Sequence, residues 1–92
     1  MDPADESFQL RRFTLADGRE LRLYCRLKKV RQSALLTCRL YEDRQGCQWL
    51  EIESGGQAVL EPLTEESFEE RVAREINNLG LNKYRGGIGV RG

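Results

Sequence analysis

A run of alternating side chains near the N-terminus constrains the fold more than any other feature of this chain. Over the nine residues 20–28 the apolar side chains occupy every second position, namely Leu21, Leu23, Cys25 and Leu27. The positions between them are charged or polar, apart from Tyr24. Alternation with a period of two is typical of a β-strand that buries one face. The chain is therefore expected to contain a sheet, and the leucine side of this strand needs a covering layer.

Four further segments have the composition of strands and are separated by turn residues. Asp17-Gly18 lies between the first of them and the alternating segment, and Gly55-Gly56 lies between the last two. Glycine tolerates the positive φ that a tight hairpin requires. Pro62 ends the last segment because proline cannot donate to a sheet ladder. The sequence predicts a meander of about five antiparallel strands, over residues 8–15, 19–30, 34–41, 47–53 and 57–61.

One amphipathic helix is predicted after the last strand, over residues 65–79. Its apolar side chains recur at spacings of four, four and three, at Phe68, Val72, Ile76 and Leu79. Thr64 is the predicted N-cap and Gly80 the predicted end. The simplest architecture packs this helix on one face of the sheet, against the leucines of residues 19–30, which gives an α+β domain of two layers. A strongly curled sheet plugged by the helix is the alternative.

The 92 residues are enough for one domain. We expect a flexible lead-in over residues 1–7, a globular domain over 8–81 and a flexible, basic, glycine-rich tail over 82–92. The apolar runs are too short to span a bilayer, which needs about 20 residues, so no membrane partner is expected. The acidic N-terminus does not resemble a secretory signal. Three cysteines without CxxC spacing argue against a disulfide framework, and the expected location is cytoplasmic.

Charge is segregated along a chain whose formal net charge is zero. Residues 1–41 hold nine Lys and Arg against five Asp and Glu, residues 42–82 hold three against ten, and residues 83–92 hold three against none. Such a dipolar surface favours docking to a charged partner.

The polar side of the central hairpin is the first candidate binding surface. If the second and third strands pair with their apolar sides together, Arg22, Tyr24 and Arg26 lie beside Arg39 and Tyr41. Arginines interleaved with tyrosines can neutralise phosphates and stack on bases, or dock a protein. A solvated sheet face is the alternative.

Two further candidates involve aromatic residues. Strand alternation places Trp49 among glutamates, where it needs cover from the tail, a second copy or a partner, unless a bulge near Gly46 turns it into the core. Tyr84 and Arg85 belong to the predicted tail, which is interpreted as flexible or as a segment that orders on a partner, by adding a strand to a sheet edge.

Catalysis finds little support in the residue types. The chain has no histidine, and no spacing pairs a nucleophile with a base. No catalytic, metal-binding or cofactor-binding residue is predicted. The predicted function is non-enzymatic protein binding by charge complementarity, as an adaptor, inhibitor or assembly factor. The alternative is a single-stranded nucleic-acid-binding domain that uses the basic and aromatic sheet face, and a homodimer is possible.

Overall fold

The computed structural model describes residues 8–88, with side chains described as far as Leu79. Five strands precede one helix, as the alternation and the turn residues predict. They are β1 (Gln9–Thr14), β2 (Glu20–Gln32), β3 (Thr37–Asp43), β4 (Gln48–Ser54), β5 (Gln57–Pro62) and the helix α1 (Phe68–Ile88).

The strands form one antiparallel meander in the order β1-β2-β3-β4-β5. An isolated parallel bridge joins Leu15, just after β1, to Leu60 in β5. This bridge brings the two ends of the sheet together, so the sheet is curled and has a concave and a convex face. The turn glycines Gly18, Gly55 and Gly56 have positive φ values of 89°, 60° and 82°, which is why glycine is needed there.

Each face of the curled sheet has its own apolar core. The inner core lies on the concave face and consists of Phe13, Cys25, Tyr41 and Leu60, with Leu15, Leu21, Leu23 and Trp49 packed against it. The outer core lies on the convex face beneath α1 and consists of Leu36, Cys38, Leu40, Leu50, Leu63, Phe68 and Val72, with Ile52 and Leu79 packed against it.

The helix therefore packs on a different surface from the predicted one. The leucines of β2 face the inner core, whereas α1 covers the alternate side chains of β3 and β4. The prediction was wrong because β3 and β4 carry apolar side chains on both faces, for example Leu40 on the convex face and Tyr41 on the concave one. The sheet is curled, as in the alternative architecture, but the helix lies outside the curl.

The helix also begins and ends at different residues from those predicted. Ser67, not Thr64, is the N-cap: its Oγ accepts the Glu70 N–H at 3.2 Å, while Glu70 Oε1 accepts the Ser67 N–H at 3.0 Å. This is a complete capping box, and the N–H of Ser67 lowers the pKa of the Glu70 carboxyl.

The helix continues past Gly80 to Ile88. A single glycine costs a helix only about 1 kcal/mol, so residues 82–88 of the predicted tail are helical, and residues 89–92 lie outside the described residues.

Asp43 organises the turn between β3 and β4. Its Oδ1 accepts the backbone N–H groups of Gln45 and Cys47, both at 2.9 Å, and its Oδ2 accepts the indole N–H of Trp49 at 3.1 Å. Burial by itself would raise the pKa of Asp43, but these hydrogen bonds outweigh it and lower the pKa below its ordinary value.

Replacing Asp43 with asparagine is expected to lower the free energy of unfolding by about 1–3 kcal/mol at neutral pH, because hydrogen bonds to a charged acceptor are lost. A depressed carboxyl pKa stabilises the folded state above the unfolded pKa of about 3.9, and that contribution is lost as the pH falls through the lower folded value. The difference between wild type and Asp43→Asn should therefore shrink below about pH 4. Urea unfolding of both proteins at several pH values measures this difference in the free energy of unfolding. A difference that grows on acidification would contradict a lowered pKa for Asp43.

Candidate binding surface

The second half of β2 extends beyond the strand that pairs with it. β1 pairs with β2 from Glu20 to Cys25, where the partner of Cys25 is Gln9. Residues 26–32, called the β2 overhang below, pair with β3 on one side. Within the described residues 8–88 no strand pairs with the other side of the overhang. Among the described residues, its outer backbone N–H and C=O groups therefore have no strand partner, and such groups can pair with a further strand.

Two apolar side chains of the β2 overhang are exposed on the concave face. The β2–β3 register pairs Leu27 with Tyr41 and Val30 with Arg39, and it shifts between Leu27 and Lys29. This bulge at Lys28 puts Leu27 and Val30 on one face although they are three residues apart. Leu27 is 44% exposed and Val30 is 50% exposed, since β1 begins at Gln9, opposite Cys25, and does not reach them.

A shallow groove of about 560 Å³ lies where β1 begins and the β2 overhang leaves it. Its lining side chains, called the basic groove below, are Gln9, Arg11, Arg26, Leu27 and Lys28. Three of these five are cations. An extended segment that continues the line of β1 along the overhang would pass through this groove.

One carboxylate on β3 neutralises part of this charge. Glu42 Oε1 accepts Arg26 Nη2 at 2.8 Å and lies 3.8 Å from Lys28 Nζ. The Arg26 guanidinium also lies over the Phe8 ring, 5.0 Å from its centroid, which fixes it by a cation–π contact. Arg26 and Lys28 share this one carboxylate and Arg11 does not contact it, so among the described residues the basic groove keeps a net positive charge.

Arg11 is the cation of the groove that lacks an ionic partner among the described residues. Its guanidinium lies over the Tyr41 ring, with Cζ 5.5 Å from the centroid. Its Nε is buried and has no hydrogen-bond acceptor among residues 8–79. An unsatisfied buried donor costs about 1–3 kcal/mol, and such groups in native proteins usually have a functional or structural explanation.

The structure separates the sheet residues that the sequence groups into one binding face. Arg22, Tyr24 and Arg26 lie on the convex side of β2, whereas Arg39 and Tyr41 lie on the concave side of β3, as the pairing of Leu27 with Tyr41 requires. The predicted common face was wrong because it assumed that the apolar sides of β2 and β3 coincide. A binding role for the individual residues stays a prediction.

These residues also have partners within the protein. Arg39 Nη1 bonds to Glu51 at 3.2 Å and Glu53 at 2.8 Å. Tyr41 is buried in the inner core, where burial raises the pKa of its hydroxyl. Tyr24 is exposed, and the Arg44 guanidinium lies 5.7 Å from its ring centroid. Arg22 Nε lies 3.8 Å from Glu20 Oε1 and stays accessible.

Trp49 packs against the inner core and is partly buried. The register from Tyr41↔Trp49 is continuous with its neighbours, so no bulge turns it inward. Strand alternation placed it correctly on the face of Glu51, and curling makes that face an interior one. Tyr84 and Arg85 lie in the helical backbone, but their side chains lie outside those described.

Sequence reasoning missed Arg11, the groove and the exposed pair of the β2 overhang. The spacing of Leu27 and Val30 was an available signal: a change from two residues to three within an alternating strand indicates a bulge. The position of Arg11 was not accessible, because it depends on where β1 begins along β2.

No group of three His, Cys, Asp or Glu side chains in the described part of the chain is placed to hold a metal ion. No helix among residues 8–88 is long and apolar enough to cross a membrane. No protein-family model, curated protein or solved structure matches the chain.

Proposed function

We propose that the chain is a non-enzymatic protein-binding domain that takes up an extended segment of another protein along the β2 overhang. The observation that carries this proposal is the open edge of residues 26–32 beside the exposed Leu27 and Val30. Strand addition obtains its affinity from main-chain hydrogen bonds and its specificity from alternate side chains. Every second side chain of the segment would contact Leu27 and Val30.

The geometry favours this role over binding of single-stranded nucleic acid. A stacking surface needs exposed aromatic rings among free cations. Tyr41 is buried, and Arg26 and Arg39 are bound to glutamates within the protein. Only Tyr24 of the two predicted stacking tyrosines is exposed. We place the domain in the cytoplasm, a proposal supported by three cysteines that are all unpaired.

Selection from a displayed library of random peptides, with the full chain as bait, tests the proposal. We expect peptides with alternating apolar residues, and we expect Leu27→Thr/Val30→Thr to bind them at least about tenfold more weakly, which corresponds to 1.4 kcal/mol. Threonine keeps the strand propensity and removes apolar contact. Leu10→Thr is the matched control, because Leu10 is 53% exposed on β1 but lies outside the overhang.

Three results would overturn the proposal. The double variant and the control could bind the selected peptides equally well. The library could yield no peptide while a deoxythymidine oligomer binds, which would favour the nucleic-acid function. Sedimentation could show that the chain pairs with a second copy and that Leu27→Thr/Val30→Thr abolishes this pairing, which would make the overhang a homodimer interface.

A further inference from the structure

We infer that the bound segment is acidic and that the basic groove receives one of its carboxylates, with Arg11 as the principal contact. This inference rests on the proposed function and adds the chemical class of the partner. It is supported by the charge balance of the groove, by the unused donor of Arg11 and by the position of both relative to the β2 overhang.

The charge balance of the groove favours an anion. Of its three cations, Arg26 and Lys28 share Glu42, and Arg11 has no ion pair among the described residues. Lys29, also in the overhang, likewise has no ion pair there. Arg31, the next cation, is bonded to Glu69 of α1. A segment lying along residues 26–32 would therefore meet unneutralised positive charge at the groove and at Lys29.

Arg11 has the hydrogen-bonding capacity that a carboxylate requires. A guanidinium presents its N–H groups in a planar fork that matches the two oxygens of a carboxylate. Its contact with the Tyr41 ring is a cation–π contact, and none of the ion pairs among the described residues engages its N–H groups. A carboxylate in the groove would supply the acceptor that Arg11 Nε lacks, after a small rotation of the arginine side chain.

The position of the groove fits a side chain of the bound segment. Gln9 and Arg11 occupy alternate positions of β1, opposite Cys25 and Leu23, and Leu27 is the next β2 residue on that face. A segment that extends the line of β1 would pair with Leu27 next, with its side chain on the same face as Arg11. Aspartate or glutamate there would enter the groove, and apolar residues further along would contact Val30.

Composition of the selected peptides is the first test. We expect Asp and Glu to be enriched over the starting library, and we expect replacement of the acidic residues by Asn and Gln to weaken binding about tenfold or more. Peptides that bind the overhang without acidic enrichment would overturn this inference and leave strand addition intact. Failure to select any peptide would instead overturn the proposed function.

Variants of adjacent arginines provide the second test. Arg11→Met should weaken the binding of an acidic peptide at least about tenfold. It should have little effect on the binding of the same peptide with Asn and Gln in place of its acidic residues. Arg12→Met is the matched control, since Arg12 is the next residue on the same strand, is exposed, and points to the opposite face. Lys28→Met should give a smaller loss of binding, and it replaces Arg11→Met in this test if Arg11→Met fails to fold. Equal losses for Arg12→Met and for the two groove variants would overturn a specific carboxylate site.

Discussion

Replacing Arg71 with alanine is expected to lower the free energy of unfolding by about 3 kcal/mol. Arg71 lies in the first turns of α1, and its side chain is only 10% exposed. It donates to Glu61 of β5 through Nε at 2.9 Å and Nη2 at 2.6 Å, and it also bonds to Glu75. Glu66 Oε1 lies 3.8 Å from Nε. One guanidinium thus links the helix to the sheet edge and lies within 4 Å of three carboxylates.

The loss is large because alanine leaves these carboxylates facing each other at the helix–sheet contact. Breaking a buried ion pair by removing one partner costs about 3–5 kcal/mol. The glutamates are only partly buried, so we expect the lower end of that range. Urea unfolding, followed by circular dichroism, measures the effect.

The neighbouring Arg74 supplies a control for this prediction. It bonds to Glu66, but its side chain is 55% exposed. Exposed ion pairs contribute at most about 1 kcal/mol, so Arg74→Ala should have a small effect. Glu61→Gln combined with Arg71→Ala should recover part of the loss. Equal effects of Arg71→Ala and Arg74→Ala would contradict the structural role of the buried arginine.

Leu50→Ala is the second substitution with a large expected effect. Leu50 lies in the middle of β4 opposite Leu40, is fully buried, and belongs to the outer core with Phe68 and Val72 of α1. Truncating a buried leucine costs about 2–5 kcal/mol from lost apolar contact and the cavity left behind. A loss of about 3 kcal/mol would lower the Tm of a domain of this size by roughly 12–24 °C.

The control is a leucine of the same sheet that does not reach either core. Leu10→Ala in β1 should change the free energy of unfolding by no more than about 0.5 kcal/mol, because surface substitutions are usually near neutral. Thermal unfolding of Leu50→Ala and Leu10→Ala under the same conditions gives the Tm of each variant for comparison. If Leu50→Ala unfolded within a few degrees of Leu10→Ala, the placement of α1 on the β3–β4 face would be wrong.

Local signals in the sequence predict the elements of this fold well. Period-two alternation finds β2, the turn glycines find two hairpins, and the spacing of Phe68 and Val72 finds the helix. The helix N-terminus was misplaced by three residues because Thr64 and Ser67 are both acceptable caps. What decides between them is Glu70, which completes a capping box only with Ser67.

The relative placement of the elements was less accessible, for a physical reason. Leu40 and Tyr41 are adjacent in β3 and both buried, so alternation cannot say which face meets the leucines of β2. The register depends on the turn after Gln32, where Ser33 N–H donates to Leu36 O at 2.8 Å, and on the bulge at Lys28. The candidate site was missed for a related reason, since Arg11, Leu27 and Lys28 meet only once the β1–β2 register and the bulge at Lys28 are set.

Residue-resolved amide hydrogen exchange along β2 tests the open overhang most directly. We expect those amides of residues 20–25 that bond to β1 to be protected, and we expect those amides of residues 26–32 that do not bond to β3 to exchange fast at every protein concentration. Addition of a selected acidic peptide should slow the exchange of these outer amides. Slow exchange of the outer amides in the free chain, at all concentrations, would mean that the chain itself closes this edge, and would contradict binding of a partner segment there.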